Sequence, residues 1–239
     1  MKRIITMVAA ALCTLGAATS CLENEEDSVL IYGYTAIGNM KDGALLTDYG
    51  QTFHILQKEC EGSLDTCSRV IVYCDILKQL DDAGNEYNIK VRSFTCPLVA
   101  EPIAASTAGE VVSDPVEIAQ GWLSGGYINV NYRHLYAAGT GVKHTVSLLY
   151  DDVKSNADTL YYTLKHNAFG ETTGGGKYTL YDLSMKYGYA SFPFTQHVPY
   201  SAASITVCLS WDWYTTDESG NILNDIVLHN SDCATYFAQ

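Results

Sequence analysis

The 239-residue chain is short of basic residues, of proline and of any sustained helical pattern. Fourteen Lys and Arg stand against 27 Asp and Glu, a net charge of −13. A surface with that balance repels phosphate backbones, and no cluster of Lys, Arg and aromatic residues offsets it, so nucleic acid is excluded as a partner. No H-E-x-x-H, phosphate-cradling glycine loop or calcium loop occurs. There is no C-x-x-C, and the even spacing of Cys60, Cys67 and Cys74 matches no zinc-ligand pattern. Five prolines beside 19 glycines and 18 tyrosines fit a β-protein with many turns and aromatic cross-strand pairs.

Long hydrophobic runs are missing too. Lys2 and Arg3, the apolar run Ile4 to Ala18 and the small residues before Cys21 read as an export signal over residues 1–20, too short to span a membrane. A cysteine directly after small residues resembles a bacterial lipobox, which makes Cys21 the lipid-bearing first mature residue. Residues 21–28, with Glu23, Glu25, Glu26 and Asp27, bury nothing and read as an acidic tether. Removing residues 1–20 takes away two cations, so 12 basic residues face 27 acidic ones and the mature charge is −15. The body is expected outside the cytoplasm, held to a membrane by several acyl chains.

Residues 29–96 carry five candidate strands: Val29 to Gly38, Ala44 to Thr47, Gln51 to Gln57, Arg69 to Lys78 and Tyr87 to Thr95. Asp42-Gly43 supplies a tight hairpin turn. Five short strands in about 70 residues suit a closed barrel of the OB type. Residues 97–115, bracketed by Pro97, Pro102 and Pro115, read as a linker packed over the surface.

Residues 116–239 resume the alternation with seven or eight strands, the spacing of a two-sheet β-sandwich. Within Gly121 to Tyr132, Ile128, Val130 and Tyr132 fall on one face and Tyr127, Asn129 and Asn131 on the other, a core strand with one wet side. The fold class is therefore all-β, a small five-stranded barrel followed by a sandwich.

Six cysteines remain in the body, and the exported setting permits disulfides. Cys208 with Cys233 is the simplest pairing in the second half. Cys60 and Cys67 flank a short polar loop and are candidates to close it, while Cys74 continues the apolar alternation Val70, Val72, Cys74, Ile76 as a buried thiol.

Ser124 in Gly121-Trp122-Leu123-Ser124-Gly125 has the wrong spacing for a nucleophile elbow and reads as a turn residue. Asp81-Asp82 and Asp151-Asp152 are solvated turn pairs. His144 and His166 share strand faces with apolar residues and read as core or inter-strand histidines, with a second meaning only if they face each other across neighbouring strands. No catalytic residue, metal ligand or cofactor is assigned. Ile205, Val207, Leu209 and Trp211 form one inward face, which makes Trp211 core and leaves Trp213 at the rim, with Tyr214 on the other face; Trp122 reads as core too. Trp213 and Tyr214 are the candidate ligand contacts.

The lipobox, the tether and a sandwich opening with Trp122, Gly125-Gly126-Tyr127-Ile128-Asn129-Val130 resemble the NigD-like family. The likeness continues through Lys143-His144-Thr145-Val146-Ser147-Leu148, Leu164-Lys165-His166-Asn167-Ala168-Phe169-Gly170-Glu171 and Ala190-Ser191-Phe192-Pro193-Phe194. It departs in six body cysteines, and in Lys165 and Glu171 where Arg and Asp are commoner. The resemblance implies an N-terminal OB domain, a C-terminal β-sandwich, an outer-membrane lipoprotein facing the cell exterior, and an immunity role against a bacteriocin. The expected function is a non-enzymatic module, tethered by its lipid anchor, that engages a protein or glycan at the cell surface. An envelope glycan hydrolase is the alternative and requires carboxylates or histidines clustered in a deep cleft. A structural envelope component is the third reading.

Overall fold

The computed structural model describes residues 29–237, apart from 174–176, 201 and 232. The export signal, Cys21, the acidic tether and the Gly174-Gly175-Gly176 run lie outside the described residues. No α-helix occurs among those described, and none is long and apolar enough to cross a membrane.

Strands β1 (Ile31–Lys41), β2 (Ala44–Thr47), β3 (Thr52–Lys58), β4 (Arg69–Gln79) and β5 (Glu86–Thr95) close into a barrel of order β1-β2-β3-β5-β4. The β1–β2 turn takes left-handed backbone at both Asp42 (φ 52°) and Gly43 (φ 79°), the geometry that Asp-Gly accepts at little cost. Alternation in β4 sends Val70, Val72 and Cys74 fully inside, where Leu45, Phe53, Ile89 and Val91 complete the barrel core.

The pairing of Cys60 with Cys67 is corrected: Cys67 is bonded to Cys96, and Cys60 is free. The reason is register. Ile71 sits opposite Thr95 across the antiparallel β4–β5 pair, so the chain just before β4 lies beside the chain just after β5. Burial first, and then the Asp75 carboxylate, push the free Cys74 thiol up to about 12. Cys74 is therefore expected to resist maleimide in the folded protein while half-buried Cys60 reacts. Peptide mapping after labelling with and without urea checks this, and native labelling of Cys74 would contradict it.

The rest of the described chain is a sandwich. One sheet joins β6 (Leu98–Val99), β12 (Ser184–Pro193), β9 (Tyr127–Tyr136) and β8 (Glu117–Ser124) in that order. The other runs β14 (Ile222–Asn230), β13 (Ser204–Thr216), β11 (Thr159–Asn167), β10 (Thr145–Tyr150) and β7 (Ile103–Ala104), with β15 (Ala234–Phe237) also on β13. Val130, Leu148, Leu164, Phe192 and Phe194 fill the space between them, all fully buried. The stretch read as a surface linker is stitched into both sheets, because β6 pairs with β12 and β7 with β10. Cys208 of β13 is disulfide-bonded to Cys233, which lies just before β15.

The two bodies meet over a buried ion pair. Arg69, at the start of β4, donates to both oxygens of Asp48 at 3.1 and 2.7 Å and to Asn129 Oδ1 of β9 at 3.3 Å. Ser124 donates to Asp48 Oδ2 at 2.6 Å, Ser191 donates to Asn129 Oδ1 at 2.7 Å, and the guanidinium lies 3.8 Å above the Tyr127 ring. Asn129, expected on a wet face, is fully buried because the barrel covers that side of β9. Gly125 lets the sandwich come this close. Its φ is +56°, and a Cβ there would stand 2.3 Å from Asp48 Oδ1.

Candidate functional site

Three of the six histidines converge at one end of the sandwich. His134 comes from β9 of one sheet and His166 from β11 of the other, while His144 lies on the segment leading into β10. Pairing of Val146 with His166 brings His144 back toward the end of β11, where the two rings meet. His144 Nδ1 is 3.0 Å from His134 Nδ1 and 3.0 Å from His166 Nε2. One ring nitrogen from each residue lies within 4.8 Å of the other two.

The surroundings are dry and polar in the right places. His134 and His166 are 5% and 2% exposed, and the His144 and Glu171 side chains 5% and 3%. Glu171 follows the β11 turn, in which Phe169 and Gly170 both adopt positive φ. Its Oε2 accepts from His144 Nε2 at 2.9 Å and from the Ala137 amide at 2.9 Å. Its Oε1 is buried without a hydrogen-bond partner, since the nearby Thr140 hydroxyl donates to the Ala137 carbonyl. Burial works to raise the Glu171 pKa, but the Thr140 dipole, the Ala137 N–H and His144 outweigh it and hold the carboxyl below its usual range. Burial, followed by the two neighbouring rings, pushes His166 down to about 3, and burial likewise lowers His134. His134 and His166 are therefore neutral and the acid is charged, so the donor set suits a cation.

The other predicted site residues are placed differently. Trp213 and Tyr214, read as a rim for ligand contact, are both 2% exposed and pack with Leu135 beneath Leu180, Leu183, Met185 and Ile222. Both pair in regular register with β14, and the two rings meet edge to face at 5.2 Å under Leu135 and the 180–185 segment. Trp211, expected as core, is instead half-buried and stacks on His229 at 5.9 Å. Ser124 is buried in the junction between the bodies, bonded to Asp48. Of the turn acids, Asp81 holds its own loop through the amides of Asn85 and Glu86, while Asp152 ties its turn to the distant Ser106. A cleft of about 380 Å³ lies at the junction, lined by Asn39, Asp48, Tyr49 and Gly125. Asp48 is already committed there to Arg69.

His134 is the member of the cluster that sequence reasoning missed. It sits at the end of β9, past the alternation, ten residues before His144 and in no motif. Only the stacking of two sheets brings it near the others.

The second exposed feature is β14, an edge strand paired on one side by β13. Leu223, Ile226, Val227 and Leu228 are 42%, 48%, 41% and 60% exposed, and Asp225 is the strand's single charge.

Among known proteins, the model of the NigD-like C-terminal β-sandwich domain matches residues 100–223. Among solved structures, a NigD-like immunity protein from Bacteroides caccae is similar at 17% identity and a TM-score of 0.58, covering 89% of this chain and 99% of that one. A proposed lipoprotein from Bacteroides fragilis is similar at 14% identity and a TM-score of 0.56, covering 82% and 96%. No curated protein matches the chain. The structural likenesses speak for the fold, the all-β arrangement expected from the sequence, and the domain match takes in just over half of the residues: the chain belongs to the NigD-like family.

Proposed function

We propose that this protein is a membrane-tethered, non-enzymatic binding protein of the bacterial envelope that engages another protein along the open edge of its sandwich. The observation that carries this reading is β14. Among the described residues its outer edge is unpaired, and successive apolar residues Ile226, Val227 and Leu228 project to opposite faces, so both faces of the edge are greasy. Proteins that gain nothing from such an edge blunt it with charge or proline, whereas strand addition uses it. Tethering rests on the lipobox cysteine Cys21 and is supported by the description of the Bacteroides fragilis neighbour. An immunity role, expected against a bacteriocin from the family resemblance, is the narrower form of the reading, and the Bacteroides caccae neighbour is described as an immunity protein. The histidine and Glu171 cluster is what favours the alternative of a hydrolase. Its four side chains are at most 5% exposed, however, which leaves a glycan nothing to touch.

The test is a photocrosslinking amino acid placed at Leu228 and, as a control, at Val153, which is 83% exposed far along the chain. A discrete protein adduct from position 228 alone is expected in intact cells, lost when Ile226 and Val227 become lysine. Equal or absent adducts at both positions would remove the edge from the proposal. Palmitate labelling that survives Cys21→Ala would remove the anchor.

A further inference from the structure

The converging histidines leave a shortage of protons. The Pro115 carbonyl, 3.0 Å from His166 Nδ1, and the Glu171 carboxylate, 2.9 Å from His144 Nε2, can only accept. His166 thus carries its proton on Nδ1 and His144 carries its own on Nε2, and each turns a bare lone pair inward. Those lone pairs, on His166 Nε2 and His144 Nδ1, face each other at 3.0 Å. The one inner nitrogen that holds a proton is His134 Nδ1, and it serves both the Leu135 carbonyl at 3.1 Å and His144. With one proton per ring, none remains for the contact between His144 and His166. Two lone pairs at that distance repel, and a cation between them attracts both.

We infer that His134, His144 and His166 are the protein ligands of a single divalent transition-metal ion of the zinc class. Imidazole nitrogen is the donor that zinc, copper and nickel favour, whereas magnesium and calcium require oxygen. Bonds of about 2.0–2.1 Å in a tetrahedron put ligand nitrogens about 3.3 Å apart. The two short contacts here are 3.0 Å and the whole set lies within 4.8 Å, so small ring rotations complete it. His134 coordinates through Nδ1 once its proton moves to Nε2.

The outer partners match what a metal-bound imidazole needs. A carboxylate holds the far N–H of His144 and a backbone carbonyl that of His166, fixing each tautomer and raising ring basicity. Glu171 is in this sense a positioning residue rather than a ligand. With ligands from both sheets and almost no exposure, the ion ties the sheets together and is not offered to a substrate.

The full mature chain, without a polyhistidine tag and kept in detergent micelles, is stripped by chelation and titrated separately with Zn²⁺ and Co²⁺. A single equivalent of each is expected to bind and to raise the thermal midpoint, since binding favours the folded form. The cobalt spectrum is expected to show the intense visible bands of a four-coordinate site with no thiolate charge-transfer band. His144→Ala and His166→Ala are expected to abolish the equivalent. Glu171→Gln is expected to keep the stoichiometry and cobalt bands while weakening affinity about 10–100-fold. The inference fails if binding is substoichiometric, if a thiolate band places the ion on Cys60 or Cys74, or if folded alanine variants bind as the parent does. Where an alanine variant does not fold, the cobalt spectrum of the unaltered chain decides: four-coordinate bands without thiolate charge transfer support the site, and any other spectrum overturns it.

Discussion

Replacing Arg69 by alanine is expected to destabilise the folded chain by about 3–5 kcal/mol, the cost of leaving a buried charge without its partner. The Arg69 and Asp48 side chains are 1% and 3% exposed, so water cannot take over for the lost guanidinium. The loss spreads beyond the pair. Asp48 keeps the Ser124 hydroxyl, but Asn129 Oδ1 loses one of its two donors, and the Tyr127 ring loses the cation above it. Asp48→Ala is expected to cost a similar amount by stranding the guanidinium. Replacing both residues by Met and Leu is expected to recover most of the loss, because a well-packed apolar pair of similar volume commonly matches a buried ion pair. Urea unfolding of the four proteins checks this. A single variant within about 1 kcal/mol of the parent would show the pair to be solvated, as exposed pairs of that worth are.

Removing the Cys67–Cys96 bridge by paired alanine substitution is expected to cost about 3–4 kcal/mol in the chain-entropy account of disulfides. The bridge joins residues 29 apart and so closes β4 and β5 into one loop. Cys67 also belongs to the barrel core, packed with Leu64, so alanine rather than serine is the cleaner substitution. The Cys208–Cys233 bridge spans 25 residues, and its removal is expected to cost nearly as much, but in the sandwich. If either paired variant unfolds at the parent's urea midpoint, the unfolded chain is already compact around that loop and the entropic account does not apply.

What could be read from sequence was whatever depended on near neighbours in the chain. The alternation Val70, Val72, Cys74, Ile76 marks an inward face, and all four are 3% exposed or less. Asp42-Gly43 marks a hairpin, and the backbone there takes the expected left-handed turn. What failed depended on distant segments. Asn129 has the pattern of a solvated position and is buried because a second body sits on it. Trp213 and Tyr214 have the pattern of a rim and are buried because Leu135 and the 180–185 segment, distant in the chain, cover them. The histidine cluster was legible in part. His144 and His166 raised the question of whether they face each other, while His134 needed the other sheet to arrive. Cys96 needed the register of β4 against β5, which loop length alone does not give.

The ion pair beneath the β9 strand also governs how far the sandwich can roam. The chain's N-terminal side enters through the barrel, and the barrel is locked to the sandwich by a charged bolt rather than strung to it by slack chain. The two bodies thus behave as one stiff lever. A force on the sandwich's far edge reaches the barrel through Arg69 and Asp48 as well as through the connecting chain.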